Sequence, residues 1–199
     1  DGSKSADGKT TRIYAGVSES KTDNIYYSDD AGETWNVLPG IDEKAQKFMP
    51  QRFDLDSKGN LYVSYGNHEG PWNSTQGTLY KFNADAGTSE EIQVVNWTVG
   101  DIVIDPTNDD NMVLVTSEVW TEQPNGAFGD KFFRTTDGGE TWENLDGKNP
   151  NHEKRWVLDM FVPGSAEIMM INPEQSDMYP ETADFFERMA YLPLAGITE

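Results

Sequence analysis

Two stretches of the chain repeat one eight-position pattern, SDDAGETW at 28–35 and TTDGGETW at 135–142. Ser28, Asp30, Gly32, Thr34 and Trp35 in the first copy match Thr135, Asp137, Gly139, Thr141 and Trp142 in the second. Hydroxyls, a carboxylate and a glycine at this spacing can cradle a phosphate, ligate calcium or close a tight turn. A phosphate loop needs a Gly-x-x-x-x-Gly-Lys-Ser/Thr run, and neither copy has the lysine. An EF-hand calcium loop needs five or six oxygen ligands closing on a distant Glu, which neither copy supplies. A turn accounts for every letter: the Asp accepts backbone N–H groups, the Gly takes a left-handed position, and the hydroxyls tie the corner down. The Trp at the end of each copy is then expected to pack between sheets, burying on the order of 200 Å². Repetition favours this structural reading, because a catalytic centre rarely recurs along one chain.

The remaining chemistry-bearing residues are scattered. Asp54, Asp56, Asp105 and Asp159 each border a polar loop and read as turn residues, with a hidden acid–base carboxylate pair as the alternative. DLDSKG at 54–59 begins like a calcium loop, but Lys58 takes its fifth position and Tyr65 its twelfth. His68 and His152 are the two histidines, and neither sits in a His-Glu-x-x-His motif. No metal site, no cofactor and no catalytic residue is therefore assigned. Trp72, in EGPWNSTQG, and Trp120, in SEVWTEQPNGAFG, lie in long Gly/Pro loops. Exposed aromatics on loops can stack on the flat C–H faces of sugar rings, or can anchor the loop by packing. Trp72 and Trp120 are the leading glycan-contact candidates, with Tyr65 and His68 beside them, while Trp97, Trp156 and Tyr80 are expected in the core.

Three series of short β-rich runs must position these residues. RIYAGV (12–17), NLYVSY (60–65), NMVLVT (111–116) and EIMMIN (167–172) form one; NIYYSDD (24–30), TLYKFNAD (78–85) and KFFRTTD (131–137) form another. RFDLDSKGN (52–60), DIVIDPTNDDN (101–111) and VLDMFVPGSAE (157–167) precede members of the first. The order of strand, Asp loop, strand, long loop, strand and Asp-rich turn returns roughly every 50 residues, the cadence of a β-propeller blade. The predicted fold is thus all-β, a partial β-propeller over residues 1–172. It has about three four-stranded blades at roughly 11–48, 49–98 and 99–148, and an incomplete one at 153–172. Three blades leave sheet faces and edges open, so the missing blades of its own propeller are an expected partner. The tail at 173–199 departs from the pattern. In PETADFFERMAYL, the spacing of Phe185, Phe186, Met189 and Ala190 predicts a short amphipathic helix at about 180–192.

The formal net charge of −20 argues against nucleic acid, which binds through clustered Lys and Arg, and against an anionic membrane surface. A neutral polysaccharide escapes this objection. The absence of cysteine excludes disulfides and thiolate metal sites. No apolar run approaches the ~18–20 residues of a membrane span, and DGSKSADGKTT at the start of the chain is no signal peptide. NST at 73–75 and NWT at 96–98 are glycosylation sequons, relevant in a eukaryotic secretory route.

The repeated pattern resembles the Asp-box of sialidases, sortilins and family 74 glycoside hydrolases. The intervening stretches are more selective. RIYAGVSES, NIYYSDDAGETWNVLPG, FMPQRFDLDSKGNLYVSYGNHEGPWN, GTLYKFN, SEVW and DKFFRTTDGGETWENL resemble family 74 xyloglucanases in order and spacing across roughly residues 11–160. The resemblance implies later blades of the N-terminal propeller in a two-propeller, inverting endo-β-1,4-glucanase. Such an enzyme is extracellular and acts on xyloglucan or a related β-glucan. Its chemistry needs two carboxylates about 6.5–9.5 Å apart. In the family these are Asp residues in motifs absent from this sequence, so none is carried over. Gln51 stands where the family commonly has His, and Val119 precedes the single Trp120 where the family often has a Trp pair. A non-catalytic sortilin-like module is the alternative. A sialidase fits less well, because its arginine cluster would have to come from five scattered residues, Arg12, Arg52, Arg134, Arg155 and Arg188.

Overall fold

The computed structural model describes residues 5–6, 8–68, 76–92, 98–117, 132–144, 157–161, 167–171 and 189–193. After a two-stranded hairpin, β1 (Ser5–Ala6) and β2 (Lys9–Thr10), four antiparallel sheets succeed one another along the chain. The first contains β3 (Ile13–Gly16), β4 (Ile25–Ser28) and β5 (Asn36–Val37). The second contains β6 (Met49–Leu55), β7 (Leu61–Gly66), β8 (Gly77–Asn83) and β9 (Thr88–Ile92). The third contains β10 (Thr98–Ile104), β11 (Met112–Ser117), β12 (Phe132–Thr135) and β13 (Glu143–Asn144). The fourth contains β14 (Val157–Phe161), β15 (Glu167–Ile171) and β16 (Met189–Pro193). Each is a simple meander in chain order, and the chain is a partial β-propeller.

The three series of runs land on equivalent strands. RFDLD, DIVID and VLDMF become the innermost strands β6, β10 and β14, and each carries a register shift, at Pro50/Arg52, Val99/Asp101 and Leu158/Met160. Such a bulge bends the strand and re-aims the residues beyond it.

Packing is sheet on sheet. All six residues of β7 are buried, although successive side chains point to opposite faces. Leu61, Val63 and Tyr65 look one way, into a cluster with Tyr80 and Phe82 and with Ile25, Leu38 and Ala45 from the first sheet and its crossover. Tyr62 looks the other way, with Leu79 and Ile92, against Val99, Ile102, Ile104, Met112, Leu114 and Phe133 of the third sheet. Both faces must therefore be apolar, which explains LYVSY, a run too continuous for a sheet with one wet side. Tyr65 and Tyr80 meet edge to face at 5.9 Å between centroids, and Tyr80 stacks on Phe82 at 5.6 Å. Gly16 is needed where the first sheet touches the second, since a Cβ there would lie 2.5 Å from the Phe53 ring.

The C-terminal helix is corrected over its last residues. Residues 189–193 form β16, paired antiparallel with β15 from Glu167↔Pro193 to Ile171↔Met189. The open edge of β15 offers a full row of backbone partners, and such tertiary pairing outweighs a short helical pattern. The fourth sheet is accordingly built partly from the tail. Residues 180–188 of that expectation lie outside the described residues. Among the described residues the one helical element is a 3-10 turn, Ala45–Lys47.

Leu114 lies at the centre of the interface between the second and third sheets and is completely buried. Leu114→Ala should lower the unfolding free energy by about 2–5 kcal/mol, read from the denaturant midpoint at constant slope. A loss below ~1 kcal/mol would mean the two sheets do not close on each other there.

Candidate functional site

The two repeated boxes superimpose bond for bond. In the first, the Ser28 hydroxyl donates to Asp30 Oδ1 (2.7 Å) and accepts from the N–H groups of Asp30 (3.3 Å) and Gly32 (2.8 Å). Asp30 then accepts from the Thr34 N–H (2.8 Å) and the Thr34 hydroxyl (2.6 Å). In the second, Thr135 Oγ1 donates to Asp137 Oδ1 (2.6 Å) and accepts from Asp137 N–H (3.2 Å) and Gly139 N–H (3.0 Å). Asp137 accepts from the Thr141 N–H (2.9 Å) and its hydroxyl (2.5 Å). Ala31 and Gly32 take positive φ, 61° and 95°, as do Gly138 and Gly139, 72° and 98°. The left-handed pair inverts the chain between two strands, and the glycine accepts it without strain.

Each box is also tied to the segment just before the strand that pairs with its own, β3 in the first sheet and β11 in the third. Ala31 N–H donates to Thr11 O (3.0 Å), and Gly138 N–H donates to Asp110 O (3.1 Å).

This bonding decides the boxes' chemistry. Hydrogen bonds from Thr34 first, then Ser28, hold the Asp30 carboxyl down to about 2, and those from Thr135 and Thr141 do the same for Asp137. A carboxyl with that affinity is ionised at neutral pH and cannot serve as a general acid, and its oxygens are already occupied. The Asp-boxes are corners.

The two tryptophans differ. Trp142 Nε1 donates to Gly139 O (3.1 Å), and its ring packs against the cluster between the second and third sheets. Trp35 does not match the expected packing between sheets: it is 45% exposed, on the side of the first sheet facing away from the second. No described sheet covers that side.

The Asp loops close on themselves as well. Asp56 accepts from Lys58 N–H (3.0 Å), Asn60 N–H (2.8 Å) and Asn60 Nδ2 (2.7 Å). Asp105 accepts from the Thr107 N–H (2.8 Å) and hydroxyl (2.7 Å), which with Asn111 hold it below the usual range although burial opposes them. The resemblance of 54–59 to a calcium loop thus ends in an Asp–Asn turn. Among the described residues no group of three or more His, Asp and Glu is placed to hold a metal ion.

Three interactions between sheets were not visible in the sequence. Asp54 Oδ2 accepts the Ile104 N–H (2.7 Å), joining the innermost strands β6 and β10, while Oδ1 accepts Leu55 N–H (2.8 Å). Burial raises this carboxyl, and the two N–H groups partly offset it. Asp109 takes the Ser57 N–H and hydroxyl, each at 2.7 Å. Arg12 clamps Asp29 through Nε (2.6 Å) and Asp85 through a terminal nitrogen (2.7 Å), with its guanidinium over the Tyr27 ring. Nothing in the spacing of Arg12, Asp29 and Asp85 announces that they meet.

Of the four glycan-contact candidates, Tyr65 and His68 fall within the described residues. Tyr65 is corrected: it is fully buried between the first and second sheets, where a sugar cannot reach it. Its position on the inward face of β7 dictates this. His68 is exposed at the end of the same strand, where its carbonyl accepts the Gln51 side-chain amide (2.9 Å). Gln51 sits in the bulge of β6, so this bond fixes the loop leaving β7 to the innermost strand. Trp72 and Trp120 lie outside the described residues, as do Trp97 and Trp156; Tyr80 is in the core as expected.

Fold and corners together define an Asp-box β-propeller segment. The family model for the BNR/Asp-box repeat matches at residues 26–37 and 133–144. A xyloglucanase of Acetivibrio thermocellus is 32% identical over 154 residues, 73% of this chain and 17% of that protein. A xyloglucanase of a Paenibacillus species is 30% identical over 161 residues, 76% of this chain and 15% of that protein. The crystal structure of a GH74 enzyme from Niastella koreensis matches at TM-score 0.68 and 28% identity, covering 85% of this chain and 27% of the other. A GH74 xyloglucanase from Xanthomonas campestris shares the fold at TM-score 0.65 and 22% identity, over 96% of this chain and 29% of its own. The chain is a segment of a glycoside hydrolase family 74 propeller. It spans less than a fifth of the length of the two curated relatives, from Acetivibrio and Paenibacillus.

Thr135→Ala removes a buried hydroxyl that accepts two N–H groups, and should cost about 1–3 kcal/mol in denaturant unfolding. The box carboxylates give a pH signature. Their folded values of about 2 lie below the ordinary 3.8, so their contribution is present above pH ~4 and is lost as pH falls toward ~2. Acid titration of stability should fall across that window in the wild type and fall less steeply in the Asp30→Asn/Asp137→Asn double variant, where Glu91, Asp105 and Asp109 still contribute. Parallel curves would contradict the assignment.

Proposed function

We propose that this chain is part of an extracellular glycosidase acting on xyloglucan or a related β-1,4-glucan. Within it, the chain supplies propeller scaffold and one wall of the glycan cleft. The identity to xyloglucanases over nearly three quarters of the chain supports this reading most. The corners are compatible with it: the Asp30 and Asp137 carboxylates hold turns, as scaffold residues do. The later blades of the N-terminal propeller are the proposed position, and further blades complete it.

Trp72 and Trp120 are the proposed sugar-stacking residues, joined by His68 beside the loop that carries Trp72. Neutral sugars suit a chain of net charge −20, since they bring no charge to be repelled. In affinity electrophoresis, the chain should be retarded by xyloglucan. Trp72→Ala and Trp120→Ala should each weaken the retardation by about two- to tenfold, the worth of one stacked aromatic. The chain alone should release no reducing ends from xyloglucan. Free migration of the wild type would favour a non-catalytic module for another ligand, and turnover by the chain alone would overturn the exclusion of a catalytic pair.

A further inference from the structure

The corner of the second sheet breaks the repeat. Ile13↔Ser28, Leu61↔Phe82 and Met112↔Thr135 are matching pairs in the first, second and third sheets. Ser28 and Thr135 open the Asp-boxes, but the second sheet has Phe82 at that position, completely buried and stacked on Tyr80. Ala84 stands where Asp30 and Asp137 hold the other corners. The turn closes instead on Asn83, whose carbonyl accepts the Gly87 N–H (2.9 Å) and whose side chain accepts the Ala86 N–H (2.8 Å). Three residues past the paired position, where the boxes have Ala31 and Gly138, this corner carries Asp85. Asp85 accepts from Arg12 of the first sheet at 2.7 Å.

Arg12 departs from its own column in the same way. It immediately precedes Ile13, as Asn60 precedes Leu61 and Asn111 precedes Met112. The two asparagines turn back onto their own loops, Asn60 to Asp56 (2.7 Å) and Asn111 to Asp105 (3.3 Å). Arg12 instead holds Asp29 of the first Asp-box through Nε (2.6 Å) and one terminal nitrogen (2.9 Å), and reaches across to Asp85 with the other. Its side chain is 8% exposed, although both acids are about half exposed. The two departures meet. Among these three corners the one without a box supplies the acid, and the one cation in the Arg12, Asn60, Asn111 column supplies its partner.

We propose that Arg12 and Asp85 form a recognition pair that fixes which sheet the first one docks on. Sheets of near-identical shape can stack in the wrong order, a characteristic failure of repeat proteins. A buried guanidinium is tolerated where acids meet it, and removing one of those acids is strongly unfavourable. An Asp-box corner offers Ala31 or Gly138 at the place of Asp85, so docking the first sheet on such a corner would bury Arg12 without this acid. The penalty falls on the wrong neighbour, which is specificity by exclusion rather than by added attraction. The pair goes beyond the glycan reading and does not depend on it.

The test is a double-mutant cycle on the whole chain, read by native-state amide exchange. The probe is Leu38, whose N–H bonds to Ile25 O on the packed side of the first sheet, and Gly139 in the second Asp-box is the reference. Asp85→Asn keeps the size of the side chain but removes its charge. It should speed exchange at Leu38 at least about tenfold and leave Gly139 within about twofold. Arg12→Met removes the cation and keeps an unbranched apolar side chain. Added to Asp85→Asn, it should bring Leu38 back to within about threefold of the wild type, because a sheet without the cation does not need the acid. That reversal separates a recognition pair from an ordinary contact, whose loss a second substitution would only deepen. Asp85→Glu, which keeps the charge, should behave as the wild type. Failure of Asp85→Asn to fold, with folding restored in the double variant, counts for the proposal. Unchanged exchange in Asp85→Asn overturns it. So does a double variant that exchanges as fast as Asp85→Asn or faster, or that does not fold.

Discussion

Covering both faces of every sheet is the constraint on which the rest of this structure depends. A four-stranded antiparallel sheet with apolar residues on both sides cannot be stable alone, because one face would remain in water. β7 shows the consequence most directly. Leu61, Val63 and Tyr65 need the first sheet, Tyr62 needs the third, and the strand satisfies both by standing between them. Burial of a Leu- or Tyr-sized side chain contributes about 1.5–3 kcal/mol, so the two interfaces dominate over any single polar bond. Among the described residues the first sheet is packed on one side, against the second sheet, and Ile13, Trp35 and Val37 lie exposed on the other.

Polar groups fix how the sheets meet rather than how strongly. Asp54 reaches across to the Ile104 amide, Asp109 reaches back to Ser57, and Arg12 spans Asp29 and Asp85. Arg12 is largely buried while both of its partners are about half exposed. Its net worth is therefore modest, but removing either carboxylate would leave a buried cation less satisfied. The Asp-boxes act within a sheet: a carboxylate held by two Thr donors and a hydroxyl that takes two amides fix the corner on which Trp142 is delivered to the neighbouring sheet. A carboxylate committed in this way is ionised at neutral pH and holds no proton to donate.

Much of the fold was legible in the sequence because propeller blades repeat. NLYVSY, NMVLVT and EIMMIN became β7, β11 and β15, and the Asp-bearing runs became the innermost strands, each with a bulge. The Asp-box turn was legible letter by letter because all its partners are local. Two outer strands were not legible, since Asn36–Val37 and Glu143–Asn144 are two residues each and carry no alternation. β16 was misread, because its helical spacing is local while its pairing with β15 crosses a long connection. Tyr65 illustrates the limit for sites. Its closeness to a Gly-rich loop suggested exposure, yet the two-residue period of β7 turned it inward beside Leu61 and Val63. The Arg12 clamp depends on contacts 17 and 73 residues apart, which no single-sequence spacing encodes.

Native-state amide exchange along the whole chain tests the stacked arrangement most directly. With both faces covered, β7 should open only with global unfolding and exchange more slowly than any other segment, while β4 and β5, covered on one side, exchange through smaller openings. Exchange of β7 at the rate of β5 would contradict the stacking, because a strand sandwiched between two sheets cannot open as readily as one on an uncovered sheet.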